Sequence, residues 1–119
     1  MAVEKEKKGS VEAQTKITVS TKEFSSATFD IGAESIDVLY FVYTGTADAD
    51  ATLPPITQTG RQIWIKNASA YNLTLHSSDG TSVLYLGGVL GATYVLTPGS
   101  AVNTYIDGTY VNDSGGIAF

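Results

Sequence analysis

The sequence predicts an all-β domain of short antiparallel strands, arranged as a small sandwich- or barrel-like fold or as a β-rich fibre module. Three observations favour this class. Apolar and polar residues alternate in several runs, which is the period of a half-buried strand. No stretch of ten residues combines helical periodicity with a helix cap. Turn-forming pairs separate the runs, at Asp79-Gly80, Gly87-Gly88, Pro98-Gly99 and Asp107-Gly108.

The first two predicted strands differ in how their faces are composed. Residues 15–21 alternate, with Ile17 and Val19 on one face. Residues 36–43 are apolar on both faces, with Phe41 and Tyr43 on the opposite side from Val38. A strand of this kind is expected to be buried on two sides, either within one chain or at a subunit interface.

The remaining runs complete the predicted sheet. Residues 61–66 place Trp64 on the face opposite Ile63 and Ile65, and residues 71–76 place His76 on a polar face. Leu53-Pro54-Pro55 is expected to end a strand, because proline cannot donate to a strand ladder. Further strands are predicted over residues 81–86, 92–97, 100–106 and 109–112, and the last two should form a hairpin at Asp107-Gly108.

The 119 residues correspond to one domain, and their charges divide it into a head and a body. Only 16% of the residues are charged, compared with about 25% in a typical soluble domain. Residues 1–22 hold five of the seven basic residues, and we interpret them as a charged docking arm that runs into the first strand. Lys5, Lys7 and Lys8 would contact an acidic partner. A solvated terminus is the alternative interpretation.

The body, residues 23–119, holds two basic and nine acidic residues, so we do not expect it to bind nucleic acid. The absence of cysteine excludes disulfides and thiolate metal sites. We expect no membrane span, because no apolar run approaches 18 residues, and no classical export signal, because the first residues are charged.

Catalytic and metal-binding patterns are weak throughout the sequence. His76 is the only histidine, and we expect it to be an ordinary strand residue rather than a catalytic base. Asp48 and Asp50 alternate as calcium ligands can, but no turn glycine accompanies them, which favours a plain acidic loop. We therefore expect no enzyme, no cofactor and no metal site.

Several fragments occur in an order that resembles a small β module of bacteriophage fibre and spike proteins, and of head-fibre or capsid-decoration proteins. The resemblance covers residues 50–112, and Tyr110 stands where the module usually has tryptophan. The fragments that carry it are Ala51-Thr-Leu-Pro54, Gly60-Arg-Gln-Ile-Trp-Ile-Lys-Asn67, Leu73-Thr-Leu75, Leu96-Thr-Pro-Gly99 and Ile106-Asp-Gly-Thr-Tyr110.

This resemblance implies a structural virion protein, either a trimeric capsid-decorating protein or a head-fibre protein. Residues 1–20 would dock on the major capsid protein or another virion protein, and the particle would assemble in the host cytoplasm. Large apolar residues outside an obvious core lead us to expect a subunit interface. It would be formed by Val38, Leu39, Phe41, Tyr43, Ile117 and Phe119.

The alternative function is a receptor- or glycan-binding module of a tail fibre or an adhesin. Exposed aromatic rings stack on sugars, and their hydroxyl and indole N–H groups add hydrogen bonds. Among the aromatic residues of the body, we expect Trp64, Tyr105 and Tyr110 to face such a ligand. A host-surface glycan would then be the partner.

Overall fold

The computed structural model describes residues 20–113, and strands dominate this part of the chain. Its helical structure is a single 3-10 turn at Ile31–Ala33. The all-β prediction is therefore confirmed for these residues. The eleven strands of residues 20–113 are β1 Thr21–Phe24, β2 Thr28–Asp30, β3 Tyr40–Tyr43, β4 Ala49–Thr52, β5 Gln62–Asn67, β6 Leu73–His76, β7 Leu84–Leu86, β8 Val89–Gly91, β9 Thr93–Leu96, β10 Ala101–Ile106 and β11 Val111–Asp113.

The first six strands form three stacked turns of the chain. In each turn the first strand joins one sheet, which we call sheet A, and the second strand joins the other, sheet B. Strands β1, β3 and β5 are parallel neighbours in sheet A, and β2, β4 and β6 are parallel neighbours in sheet B. The same path is thus repeated one strand spacing further on, which is a solenoid-like stacking.

This stacking corrects the prediction of antiparallel strands for the first half of the fold. Hairpins make antiparallel neighbours, whereas here every strand returns to its sheet only after the chain has passed through the other one. Along sheet A, Tyr40 is therefore in register with Trp64, which is 24 positions later in the sequence.

The later strands complete both sheets with antiparallel pairings, except that β11 and β7 are parallel to each other. Strand β10 lies antiparallel to β5, and β9 lies antiparallel to β6. Sheet A then continues through β11 and β7 to β8. The hairpin predicted at Asp107-Gly108 is confirmed, because it joins β10 to β11 and places Ile106 opposite Val111. Strand β4 ends at Thr52, just before the predicted Leu53-Pro54 break.

The core lies between the two sheets and is formed by the inward residues of both. Phe41 and Ile65 are neighbours in the inward row of sheet A, and Ala49 and Leu73 are neighbours in that of sheet B; all four are buried. At the β1 end, the rings of Phe24 and Phe29 stack with their centroids 4.3 Å apart. As predicted, Ile63 and Ile65 are buried and Trp64 points the other way.

The predicted strand over residues 36–43 is only half correct. Strand β3 begins at Tyr40, and residues 36–39 belong to the loop before it. Phe41 is 0% exposed and Tyr43 is 1% exposed, because both lie in the core of a single chain. Their burial therefore needs no second subunit, and the interface that we propose below does not include them.

Candidate functional site

The outer faces of the two sheets differ in chemistry. The outward residues of sheet B are mostly short and polar, and Asp50 contacts His76 across two neighbouring strands at 2.7 Å. The outward residues of sheet A are mostly aromatic or carry amides. Among these outward residues, the charged ones are Glu23 and Lys66. The two outer faces therefore differ mainly in their aromatic content.

Two rows of outward residues cross sheet A. The first row runs from Tyr40 through Trp64 to Asn103, which are in register on β3, β5 and β10. The second row crosses five adjacent strands, in the order β5, β10, β11, β7 and β8. It consists of Gln62, Tyr105, Asn112, Tyr85 and Leu90. Diagonal neighbours on adjacent antiparallel strands lie roughly 7–8 Å apart, so Trp64 and Tyr105 are within reach of one ligand or one partner surface.

Two edge-to-face ring pairs lie on this surface. Tyr40 and Trp64 have ring centroids 6.2 Å apart, and Tyr85 and Tyr110 have centroids 6.0 Å apart. Trp64 nevertheless remains 51% exposed and Tyr85 remains 45% exposed. We call this surface the aromatic face and define it as Tyr40, Trp64, Tyr85, Leu90, Tyr105 and Tyr110.

The polar ends of these rings remain available for binding. The hydroxyls of Tyr85, Tyr105 and Tyr110 and the indole N–H of Trp64 form no hydrogen bond with another residue of the described range, 20–113. Buried tyrosine and tryptophan usually find such partners, which is why both residues are enriched at interfaces. The aromatic face can therefore bury ring area and form hydrogen bonds at the same time.

Asp107 holds the turn that presents Tyr110 to this face. Its Oδ1 accepts hydrogen bonds from the backbone N–H groups of Tyr110 at 2.7 Å and Thr109 at 2.8 Å. Its Oδ2 accepts one from the side-chain amide of Asn112 at 2.9 Å. These bonds, above all the one from Tyr110, lower the pKa of Asp107 from its ordinary value of 3.8.

Acid should therefore weaken this turn. A carboxyl group whose pKa is lowered by folding stabilises the fold above its unfolded-state value, and this contribution disappears as the pH falls through the lowered folded-state value. We expect Asp107→Asn to show a smaller drop in unfolding temperature between pH 5 and pH 2 than the unmodified protein. Thermal unfolding followed by circular dichroism measures both drops.

The matched control is Asp37→Asn. The carboxylate of Asp37 accepts no hydrogen bond within residues 20–113, so its removal should leave the acid-induced drop unchanged. Equal drops for the unmodified protein and for Asp107→Asn would contradict the role given to this carboxylate.

The structure brings together the three aromatic residues that the sequence pointed to, Trp64, Tyr105 and Tyr110. It adds Tyr40 and Leu90, which sequence reasoning missed as surface residues. Tyr40 belongs to the run 36–43, for which the sequence predicts burial on two sides, and Leu90 belongs to a strand of only three residues after Gly87-Gly88. Tyr85 lies between the buried Leu84 and Leu86, so its outward position was readable from alternation.

Of the residues predicted to form a subunit interface, two lie near the aromatic face. Leu39 is 45% exposed in the loop before β3, and Val38 is half-buried against the core. The docking residues Lys5, Lys7 and Lys8 and the apolar residues Ile117 and Phe119 lie outside the described residues, as does most of the strand predicted over 15–21.

The described part of the chain contains no group of three or more histidine, cysteine, aspartate or glutamate residues placed to hold a metal ion. Between residues 20 and 113 there is also no helix long and apolar enough to cross a membrane. Comparison with models of protein families, with curated proteins and with solved structures found no match.

Proposed function

We propose that this protein is a structural subunit that associates with copies of itself through the aromatic face. The observation that supports this is the exposure of Trp64, Tyr85 and Leu90, all about half exposed, on a sheet face with two charged residues. Large apolar groups gathered on one face are typical of protein interfaces, and tryptophan and tyrosine are enriched among the few residues that contribute most of the binding energy there.

The setting that we propose is the virion of a bacteriophage, with the protein as a trimeric capsid-decorating or head-fibre protein. This part of the proposal depends on the resemblance of residues 50–112 to fibre modules. The same resemblance implies a trimer. Residues 1–20 would dock on a capsid or other virion protein. The solenoid-like stacking is compatible with such a role, because stacked strands provide a long, regular surface for neighbouring subunits.

Removing two rings from the aromatic face tests the association. We expect the unmodified protein to have the mass of a trimer at micromolar concentration, and the double variant Trp64→Ser, Tyr85→Ser to dissociate at least tenfold more readily. The reason is that both side chains would become buried on association and are replaced by small polar ones. Sedimentation equilibrium measures the mass and the dissociation constant.

Val95→Ser provides the control for this experiment. Val95 is 46% exposed, comparable to Tyr85, but it lies on the outer face of sheet B. This variant should keep the mass of the unmodified protein. A monomeric unmodified protein at tens of micromolar would contradict self-association.

A second candidate function is glycan binding by the same face. It is favoured by one observation: Tyr85 and Tyr105, whose hydroxyls are free, flank Asn112 in one row, so that two rings and two hydroxyls can stack on and hydrogen-bond to a sugar. If the unmodified protein is a stable monomer that binds a glycan, and the variant Trp64→Ser no longer binds it, this function is favoured over self-association.

A further inference from the structure

A groove with a volume of about 610 Å³ lies beside the aromatic face, at the start of β5. One wall is formed by Ile36 and Leu39 in the loop before β3, and these side chains are 69% and 45% exposed. The rest of the lining is mostly polar and consists of Gln58, Thr59, Gly60, Arg61 and Gln62. The groove thus combines two exposed aliphatic side chains with amides, a hydroxyl and one cation.

The cation, Arg61, is buried and has no counter-charge among residues 20–113. It is 8% exposed, and the ion pair present within residues 20–113 joins His76 to Asp50 and does not involve it. Its guanidinium instead donates to neutral oxygens: Nη1 to the side-chain oxygen of Gln58 at 2.7 Å, and Nη2 to the carbonyls of Ser35 at 3.2 Å and Glu34 at 3.4 Å.

One donor of this guanidinium has no acceptor among the described residues. Nε is buried and forms no hydrogen bond in the described part of the chain. Burial lowers the pKa of Arg61 from its ordinary value, but an arginine remains protonated in proteins. A buried charge is costly unless it is paired, so this arrangement favours an anion over the neutral partners that Arg61 has now.

Gln58 indicates where such an anion would bind. Within residues 20–113, its amide oxygen is the one side-chain acceptor on the guanidinium. A carboxylate oxygen has a similar size and accepts a stronger, charge-assisted hydrogen bond. Gln58 belongs to a loop and is half-buried, so its side chain can move aside without disturbing a strand.

We propose that this groove binds a monocarboxylate that carries an apolar body. The carboxylate replaces the Gln58 amide on Arg61, and the apolar body lies against Ile36 and Leu39. The charge of a single cation matches that of one carboxylate, whereas a phosphate dianion would need more than one cationic side chain. The carboxylate can belong to a free organic acid or to a peptide. This site goes beyond the proposed function, since it does not require self-association.

Titration calorimetry with paired probes tests the site. The probes are octanoate and octanamide for a free acid, and a leucyl-aspartate and a leucyl-asparagine dipeptide, both with blocked termini, for a peptide. We expect at least one acid to bind at least tenfold more tightly than its amide. The tighter of the two acids identifies the source of the ligand. Failure of both acids to bind, or equal binding of acids and amides, would overturn the proposal.

Gln58→Glu supplies a carboxylate from the chain itself. It should pair with Arg61, raise the unfolding temperature and weaken binding of the better acid at least tenfold. Gln62→Glu is the matched control: it adds the same charge to the same groove from a residue that is not bonded to Arg61, so it should weaken binding less than threefold. Equal losses in the two variants would overturn the assignment to Arg61.

Leu39→Ser tests the apolar wall without touching the buried guanidinium, and the exposure of Leu39 makes folding of this variant secure. It should weaken the binding of octanoate at least fivefold and the binding of butyrate less, because only the longer chain reaches Leu39. An unchanged preference for octanoate over butyrate would overturn this part of the proposal. The mass of each variant is measured in the same samples, so that loss of binding and loss of self-association remain distinguishable.

Discussion

Replacing Phe41 with alanine is expected to lower the free energy of unfolding by about 3–5 kcal/mol. Phe41 is 0% exposed, lies in register with Ile65 and faces the ring of Phe29 at a centroid distance of 6.2 Å. The substitution would leave a ring-sized cavity between the two sheets, where neighbouring strands can relax only partly. Urea denaturation followed by tryptophan fluorescence measures the change, since the sequence contains one tryptophan, Trp64.

Leu39→Ala is the matched control, two positions earlier in the same apolar run. Because Leu39 is partly exposed in a loop, its truncation should cost less than about 1 kcal/mol. The pair separates two roles that the sequence left open for residues 36–43. If Phe41→Ala kept its stability and lost only its self-association, Phe41 would belong to an interface and not to the core.

The face that each strand presents could be predicted from the sequence, but the way strands pair could not. Alternation placed Ile63 and Ile65 opposite Trp64, and Asp107-Gly108 marked a hairpin, because both signals come from residues that are close in the sequence. Parallel stacking pairs Tyr40 with Trp64, 24 positions apart, and no local signal specifies such a register.

Strands β2, β4 and β8 were not predicted, because each carries too weak a local signal in the sequence. Strands β2 and β8 have three residues each, which is too short to show a period of two. Strand β4, Ala-Asp-Ala-Thr, buries alanines instead of large apolar residues, so its inward face carries little hydrophobic signal. These strands depend on the sheet around them more than on their own composition.

The candidate sites were predictable to different degrees. Trp64, Tyr105 and Tyr110 could be named from the sequence because aromatic residues on polar strand faces are conspicuous. That they share one surface depends on the pairing of β5 with β10, which only the fold establishes. The buried guanidinium of Arg61 could not be predicted, because arginine is mostly exposed in proteins and nothing in Gly60-Arg61 indicates burial.

Asn67→Ala is expected to lower the free energy of unfolding by about 2–4 kcal/mol, although it removes only a small polar group. Asn67 is 0% exposed and ends β5, where the chain turns from sheet A to sheet B. Its Nδ2 donates to the carbonyls of Tyr71 at 2.6 Å and Leu96 at 2.8 Å, and its Oδ1 accepts from the N–H and the hydroxyl of Ser69 at 3.1 Å and 2.6 Å.

This network explains why a polar side chain occupies a core position. Asn67 is in register with Tyr43, yet no apolar residue could satisfy the turn at residues 68–72 and the end of β9 together. Asn67→Asp should be at least as damaging as alanine, because a carboxylate would face two carbonyl oxygens without a donor. Asn72→Ala, in the same turn but exposed, is the control and should change stability by less than about 0.5 kcal/mol. Equal effects at both positions, measured by urea denaturation, would mean that the turn is held by its backbone and not by the Asn67 amide.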